Sequence, residues 1–338
     1  MPVDLAALPL WLVALVFAAA AAVVWLAGTR LAGAADAIAE EYGLGQALVG
    51  MLLLGAVTSL PEIAVSVSAG LSGEASLAIN NLLGGVAMQV VLIAFADALV
   101  GGRAITGEAA RPSLLLQPVL CAALLALLAG GIAAGEVAVM GVGAWSAATF
   151  AAGIVFLVIV SRSHGRELPA DGGRRARRKG THGLPAPVAM VGLLAPILVV
   201  AGYLLARAGD VLAEQTGIGE AYVGLVLVSL ATSLPEVSTL YGAVRRGRYR
   251  MAMGDIFGTN IFDVGLVFVV DLAYREGPAL AEVGAFSVVA ALLGAVLTLI
   301  YAAGLIERAD RKLARLGVDS WAVLAAYAGG LALLWTLR

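Results

Sequence analysis

The stretch Thr58-Ser59-Leu60-Pro61-Glu62 returns as Thr232-Ser233-Leu234-Pro235-Glu236, and each copy lies in a run apolar enough to cross a bilayer. A carboxylate at the centre of a membrane span costs about 2.5–3.5 kcal/mol even on lenient insertion scales, so by default it marks a functional site. Proline contributes no N–H and breaks the helical ladder, which frees carbonyl oxygens one turn upstream. Thr58 and Glu62 are four residues apart, as are Thr232 and Glu236, so each hydroxyl shares a helical face with its carboxylate. Two such units read as the two halves of one cation cage.

The surrounding composition fits that reading. The 338 residues are 61% hydrophobic and only 13% charged, with mean hydropathy +0.98. These values exclude a disordered chain and an ordinary soluble domain, leaving a polytopic membrane protein. The net charge of -2 says little, because the placement of charge matters more than its sum. Cys121 is the only cysteine, so no intrachain disulfide forms. The N-terminus carries Asp4 and no early basic residue, unlike a signal peptide, so the first apolar run is read as a retained helix.

Uncharged runs of 18–25 residues read as transmembrane helices. Six are plain: Leu5–Thr29, Pro112–Gly135, Val137–Ser161, Gly183–Ala206, Val283–Ile306 and Ser320–Leu337. Four more, about 44–69, 77–99, 220–244 and 252–272, contain or border acids and fall as the second and third and the seventh and eighth spans. No Lys or Arg falls inside any of the ten. With the N-terminus external, every one of the 21 Lys and Arg except Arg207, Arg275 and Arg338 lies on the cytoplasmic side. That asymmetry predicts ten spans with both termini outside a cell membrane, because moving the count by one helix scrambles it.

A constant offset of 174 residues relates the two halves. Residues 31–62 and 205–236 match without gaps at 17 of 32 positions, including Asp36/Asp210, Glu40/Glu214, Gly50/Gly224 and the whole Thr-Ser-Leu-Pro-Glu unit. Five helices per half is an odd number, so the second half enters the membrane inverted, a signature of secondary transporters. The predicted fold is an all-α integral membrane protein of ten transmembrane helices. It consists of two inverted five-helix repeats, residues 1–161 and 187–338, with helices 2, 3, 7 and 8 broken around a central cation site. Residues 162–186, basic and rich in Gly and Pro, form a cytoplasmic linker that holds His164 and His182.

Glu62 and Glu236 have no intramembrane basic partner, so they bind a cation or carry protons. Thr58, Ser59, Thr232 and Ser233 are residue types that also pack helices, but their place beside the proline and the glutamate favours ligation, since hard cations take oxygen ligands. In the eighth span Thr259 and Asp263 again stand four apart. The first repeat has Gly85 and Gln89 at the equivalent positions, so the cage is asymmetric. Asp255 reads as a first-turn acid meeting the helix dipole, and Asp97 and Asp271 as interfacial helix ends. No His/Cys cluster, phosphate loop or nucleophilic triad appears, so neither an enzyme nor a resident cofactor is expected.

With these residues assembled, the chain resembles the Ca²⁺:cation antiporter superfamily. The likeness is to its sodium/calcium exchanger branch, in the prokaryotic-type form without a regulatory domain. The resemblance rests on the two Thr-Ser-Leu-Pro-Glu units and on Gly254-Asp255-Ile256-Phe257-Gly258-Thr259-Asn260-Ile261-Phe262-Asp263. It implies ligands at Glu62, Glu236, Thr58, Thr232, Ser59, Ser233, Thr259, Asp263 and Gln89, with backbone carbonyls around Gly55 and Ser229. It also implies Ca²⁺ and Na⁺ as transported ions, and alternating access by sliding of helices one and six. Val57 and Ala231 replace the family's Gly before Thr-Ser, Gly85 replaces a Ser, Val86 an Asn, and Gln89 an Asn or Asp. Those departures support an alternative, H⁺-coupled exchange of Ca²⁺ or another cation.

Other classes fit less well. An intramembrane hydrolase with paired acids would need a substrate gate, and none is legible. A passive channel suits buried, tightly binding carboxylates poorly. Beyond its ions and the lipid bilayer, no nucleic acid or obligate protein partner is expected.

Overall fold

The computed structural model describes residues 5–42, 58–100, 103–110, 112–139, 141–164, 185–308 and 312–337. Its helices are α1 (Leu10–Tyr42), α2 (Leu60–Leu71), α3 (Ala75–Asp97), α4 (Pro112–Ala134), α5 (Ala144–His164), α6 (Pro185–Thr216), α7 (Glu220–Thr232), α8 (Leu234–Arg245), α9 (Tyr249–Gly265), α10 (Val267–Ala273), α11 (Ala285–Glu307) and α12 (Val318–Leu337). Eight spans among the described residues are long and apolar enough to cross a membrane, or nine with the bent pair α7–α8. The chain is an integral membrane protein. The expected second span is described only as α2, since residues 44–57 lie outside the described segments, as does most of the linker.

Burial orders the helices. In α3, 94% of the apolar window is buried, against 22% in α1 and 17% in α12, so α3 runs through the middle and α1 and α12 face lipid. A helix apolar on every face belongs in such an interior. At about 1.5 Å per residue, the 33 residues of α1 and 32 of α6 reach about 50 Å. That exceeds a hydrocarbon core of about 30 Å, so this pair, packed along each other, must tilt or protrude.

Several expectations are corrected. The third helix is not broken, because Ala75–Asp97 runs without interruption. The eighth is interrupted only by a tightened turn at Leu266, whose N–H reaches the Phe262 and Asp263 carbonyls at 3.2 and 3.0 Å. Neither stretch contains proline, and glycine alone does not stop a helix held on all sides by packing. The sixth helix also continues past Ala206 to Thr216, which brings Arg207 inside it. There Arg207 pairs with Asp210 at 3.2 Å, one turn on, so a span does contain a basic residue.

Asp97 and Asp271, expected at the interface, are 0% and 3% exposed and act as anchors. Asp97 accepts from Ile105 N at 2.8 Å, Gly317 N at 2.5 Å and Ser320 Oγ at 3.0 Å. Asp271 accepts from Ala279 N at 2.7 Å, Gly143 N at 2.7 Å and Ser146 Oγ at 2.9 Å. Every partner of one is the partner of the other moved by 174 residues, with the halves exchanged. Reciprocity of that kind is what a two-fold relation between halves produces. Each carboxylate ties the end of a core helix to a two-stranded hairpin, β1–β2 (Ala138–Val139, Val142–Gly143) or β3–β4 (Lys312–Leu313, Leu316–Gly317). Lys312, whose repeat mate is Ala138, pairs with Asp97 at 3.3 Å on one side only.

Asp271→Ala would strand the backbone N–H groups of Ala279 and Gly143, at about 1–3 kcal/mol each. The expected result is a melting temperature in detergent well below that of the unsubstituted protein, with Asp271→Asn intermediate. An Asp271→Ala protein melting like the parent would show that the anchor is not needed.

Candidate cation site

Proline sets the local geometry of the site. Pro235 and Pro61 sit in the first turn of α8 and α2, and each carries its glutamate into that turn. The residue before each helix has the same backbone, φ −78°, ψ 5° at Ser233 and φ −77°, ψ 7° at Ser59. Pro235 has no N–H to offer the Ala231 carbonyl, and the axis bends by 48° between α7 and α8. Upstream, Gly224–Val228 forms one wide π turn, a feature that often accompanies functional sites. Glu62 and Glu236 therefore lie at the positive N-terminal ends of α2 and α8, where a carboxylate is favoured.

All of the expected side-chain ligands that are described are buried: Glu62, Ser59, Thr232 and Gln89 at 0%, Thr58, Ser233, Glu236 and Asp263 at 1%, and Thr259 at 2% exposed. Glu62 lies within electrostatic reach of Glu236 and Asp263 and beside the Thr232 hydroxyl, and Glu236 lies beside Thr58. Each threonine thus stands by the other repeat's glutamate. Even so, both oxygens of Glu62 and both of Glu236 lack a hydrogen-bond partner among the described residues. Ser233 Oγ and Gln89 Oε1 are unpartnered too. Buried polar atoms are rarely left so, and a cluster of oxygens is the donor set that hard cations take.

Ser59 Oγ donates to Asp263 Oδ1 at 2.6 Å, and Gln89 Nε2 donates to Asp263 Oδ2 at 3.2 Å. Gln89 and Asp263 are repeat mates, as are Val86 and Asn260, whose Nδ2 reaches the Val86 carbonyl at 3.4 Å. Equivalent residues meet only where the two-fold axis passes, so the axis runs between α3 and α9 through the site. Ser229 is committed elsewhere: its hydroxyl donates to the Leu225 carbonyl. Its carbonyl accepts Ser233 N at 3.0 Å and Thr232 Oγ1 at 3.2 Å. Thr259 is buried, and Gly55 lies outside the described residues.

Sequence reading passed over Asn81. It is fully buried, its Oδ1 accepts Thr232 Oγ1 at 3.4 Å and its Nδ2 has no partner among the described residues. The one signal for it was its position as the repeat mate of Asp255, which accepts Thr239 Oγ1 at 3.3 Å.

A second group of acids lies at the opposite end of α3 from Asp97. Carboxylate oxygens of Glu74, Asp210 and Glu220 fall within 4.8 Å of one another. Burial, then Glu220 and Asp210, push the Glu74 carboxyl up to about 8, with Arg207 opposing. A raised carboxyl keeps its proton when an unfolded chain has lost it, so its stabilising share is complete at low pH and disappears as pH rises through about 8. Glu74→Gln is expected to match the parent's melting temperature near pH 5 and exceed it near pH 9. Parallel curves would show that the cluster does not titrate in this way.

A sequence profile of the family described as sodium/calcium exchanger protein matches residues 12–162 and again 186–336. The chain belongs to this family. The two matched stretches are displaced by the same 174 residues that relate the Thr-Ser-Leu-Pro-Glu units. Among curated members, inner membrane protein YrbG of Escherichia coli (strain K12) is 30% identical over 255 residues, spanning 70% of this chain and 72% of that protein. The putative antiporter CaxA of Alkalimonas amylolytica is 26% identical, spanning 75% and 78%.

Solved structures place the sodium/calcium exchanger family fold on this chain. The crystal structure of the H⁺/Ca²⁺ exchanger CAX superposes with a TM-score of 0.70 at 14% identity, covering 96% of this chain and 85% of that one. The sodium-calcium exchanger NCX_Mj, soaked with zero Na⁺ and Ca²⁺, gives 0.61 at 17% identity, covering 97% and 99%.

Proposed function

We propose that this protein is a secondary antiporter that exchanges Na⁺ for Ca²⁺ by alternating access. In this reading ten helices form two inverted five-helix repeats, with both termini outside the cell membrane and the linker cytoplasmic. The observation that carries it is the pair Glu62 and Glu236, whose four oxygens are buried, unpartnered among the described residues, and drawn from opposite repeats. Ca²⁺ takes six to eight oxygens. Two carboxylates supply up to four, and the hydroxyls of Thr58, Thr232 and Ser233 are the proposed additions. Na⁺ competes for the same oxygens, so binding of one ion expels the other. An empty cage carries uncompensated charge and resists crossing the membrane centre, whereas a loaded cage does not. The long pair α1 and α6 is the element proposed to slide.

H⁺-coupled exchange is the second reading, favoured by Gly85 and Gln89, which leave the first repeat without the hydroxyl and carboxylate of Thr259 and Asp263. Proteoliposome uptake of ⁴⁵Ca²⁺ separates the two. The expected result is accumulation driven by an outward Na⁺ gradient at equal pH. Accumulation under a pH gradient alone would establish the second reading, and none under either gradient would remove both.

A further inference from the structure

Three carboxylates meet in the site, but they are not equivalent. Glu62 and Glu236 present four oxygens without partners among the described residues. Both Asp263 oxygens are already engaged, one by the Ser59 hydroxyl at 2.6 Å and the other by the Gln89 amide at 3.2 Å. All three members of this group are at most 1% exposed. A carboxylate with a donor on each oxygen already has its lone pairs engaged and offers a cation less than one whose oxygens are open.

The opposite half provides an internal comparison. By the repeat, Ser233 should do for residue 89 what Ser59 does for Asp263. Residue 89 is an amide, and both Ser233 Oγ and Gln89 Oε1 lack partners among the described residues. Thr259 has no counterpart hydroxyl, because residue 85 is glycine. A Cβ built there would have only Ser233 Oγ near it, at 3.9 Å. Monovalent ligation on this side has thus lost a carboxylate and a hydroxyl, while the amide lost from the cage is spent on Asp263.

We infer that the protein moves two monovalent cations per Ca²⁺, one for each of Glu62 and Glu236, with Ser59–Asp263–Gln89 a fixed and non-exchanging group. The count rests on the exchange reading above but not on whether the monovalent ion is Na⁺ or H⁺. Ca²⁺ offsets the two free carboxylates, and two monovalent ions offset the same two charges. Both loaded forms then carry the same net charge, so the membrane potential does no work on the exchange. Among the described residues, a third monovalent ion would need oxygens from Asp263 or from the stripped side at residues 85 and 89.

The balance point of flux tests the count. In proteoliposomes with the potential clamped by K⁺ and valinomycin, the Ca²⁺ ratio giving no net ⁴⁵Ca²⁺ movement is measured against imposed Na⁺ ratios, and separately against pH gradients. The expected Ca²⁺ ratio is the square of the monovalent ratio at every potential. A cubic law, shifting about tenfold per 59 mV, would overturn the count and leave exchange standing. No flux under either gradient would remove the exchange reading, and the count with it. Gly85→Ser/Gln89→Asp, which copies the second repeat's pattern, is expected to make the balance potential-dependent. If it kept the square law, the role given to residues 85 and 89 would be wrong.

Discussion

Glu62→Gln and Glu236→Gln are each expected to abolish Ca²⁺-driven flux while leaving a folded protein. Glutamine preserves the volume and removes one charge from a buried cage. Losing one member of a buried charge pair typically costs about 3–5 kcal/mol, which is roughly two to three orders of magnitude in affinity. Without ion, the same substitution relieves repulsion between like charges that face each other across the repeat. The melting temperature of the apo protein should therefore hold or rise, while the stabilisation that Ca²⁺ confers on the parent by binding the folded form disappears. Loss of flux with an unchanged Ca²⁺-dependent melting shift would place the carboxylates outside the binding site. Parent-like transport by the double variant would end the cage proposal.

Gly84→Ala is expected to have the largest effect of any single methyl. A Cβ at Gly84 would stand 2.0 Å from the Leu225 carbonyl oxygen, 2.6 Å from its carbon and 2.7 Å from its Cα. Those are backbone atoms, which no rotamer change moves aside. From the other helix, a Cβ at Gly224 would meet the Leu77 carbonyl at 2.6 Å. α3 and α7 thus touch backbone to backbone beside the wide turn that leads to Thr232 and Ser233. Overpacking usually costs about 1–3 kcal/mol and more where nothing yields. We expect poor recovery of monodisperse protein and loss of transport in whatever folds. Gly130→Ala is the control. It lies in α4 with nothing within 4 Å, and alanine there should stabilise the helix by up to about 1 kcal/mol. Equal melting temperatures for the two variants would contradict the close approach.

Much of the site was legible because repetition is visible without coordinates. The duplicated Thr-Ser-Leu-Pro-Glu singled out both glutamates as candidates, and Pro235 located the one bend among the described residues. Comparing the copies exposed Gly85 and Gln89 as departures. Other parts were not legible, for identifiable reasons. Asp97 and Asp271 looked interfacial because their partners, Gly317 and Gly143, are backbone groups more than 100 residues away, and a backbone N–H has no sequence signature. The third helix was expected to be broken like the second, yet it runs on unbroken and Gly84 serves close packing against α7. The sixth was cut at Ala206 because Arg207 ends the apolar run, although an ion pair one turn along lets the helix continue.

By itself the sequence determined that this chain lives in a membrane, that it is built twice, and that a glutamate recurs at the same place in each copy. Hydropathy, charge placement and an internal repeat are properties of the chain, and each carries its own free-energy argument. Only the tertiary structure decided which oxygens are free. Ser59 and Asp263 are 204 residues apart and Gln89 and Asp263 are 174 apart, so their pairing depends on how α3 and α9 cross at the two-fold axis. Three carboxylates that look alike in sequence separate there into two whose oxygens lack partners among the described residues and one with a donor on each oxygen, because hydrogen bonds are allotted by position in space.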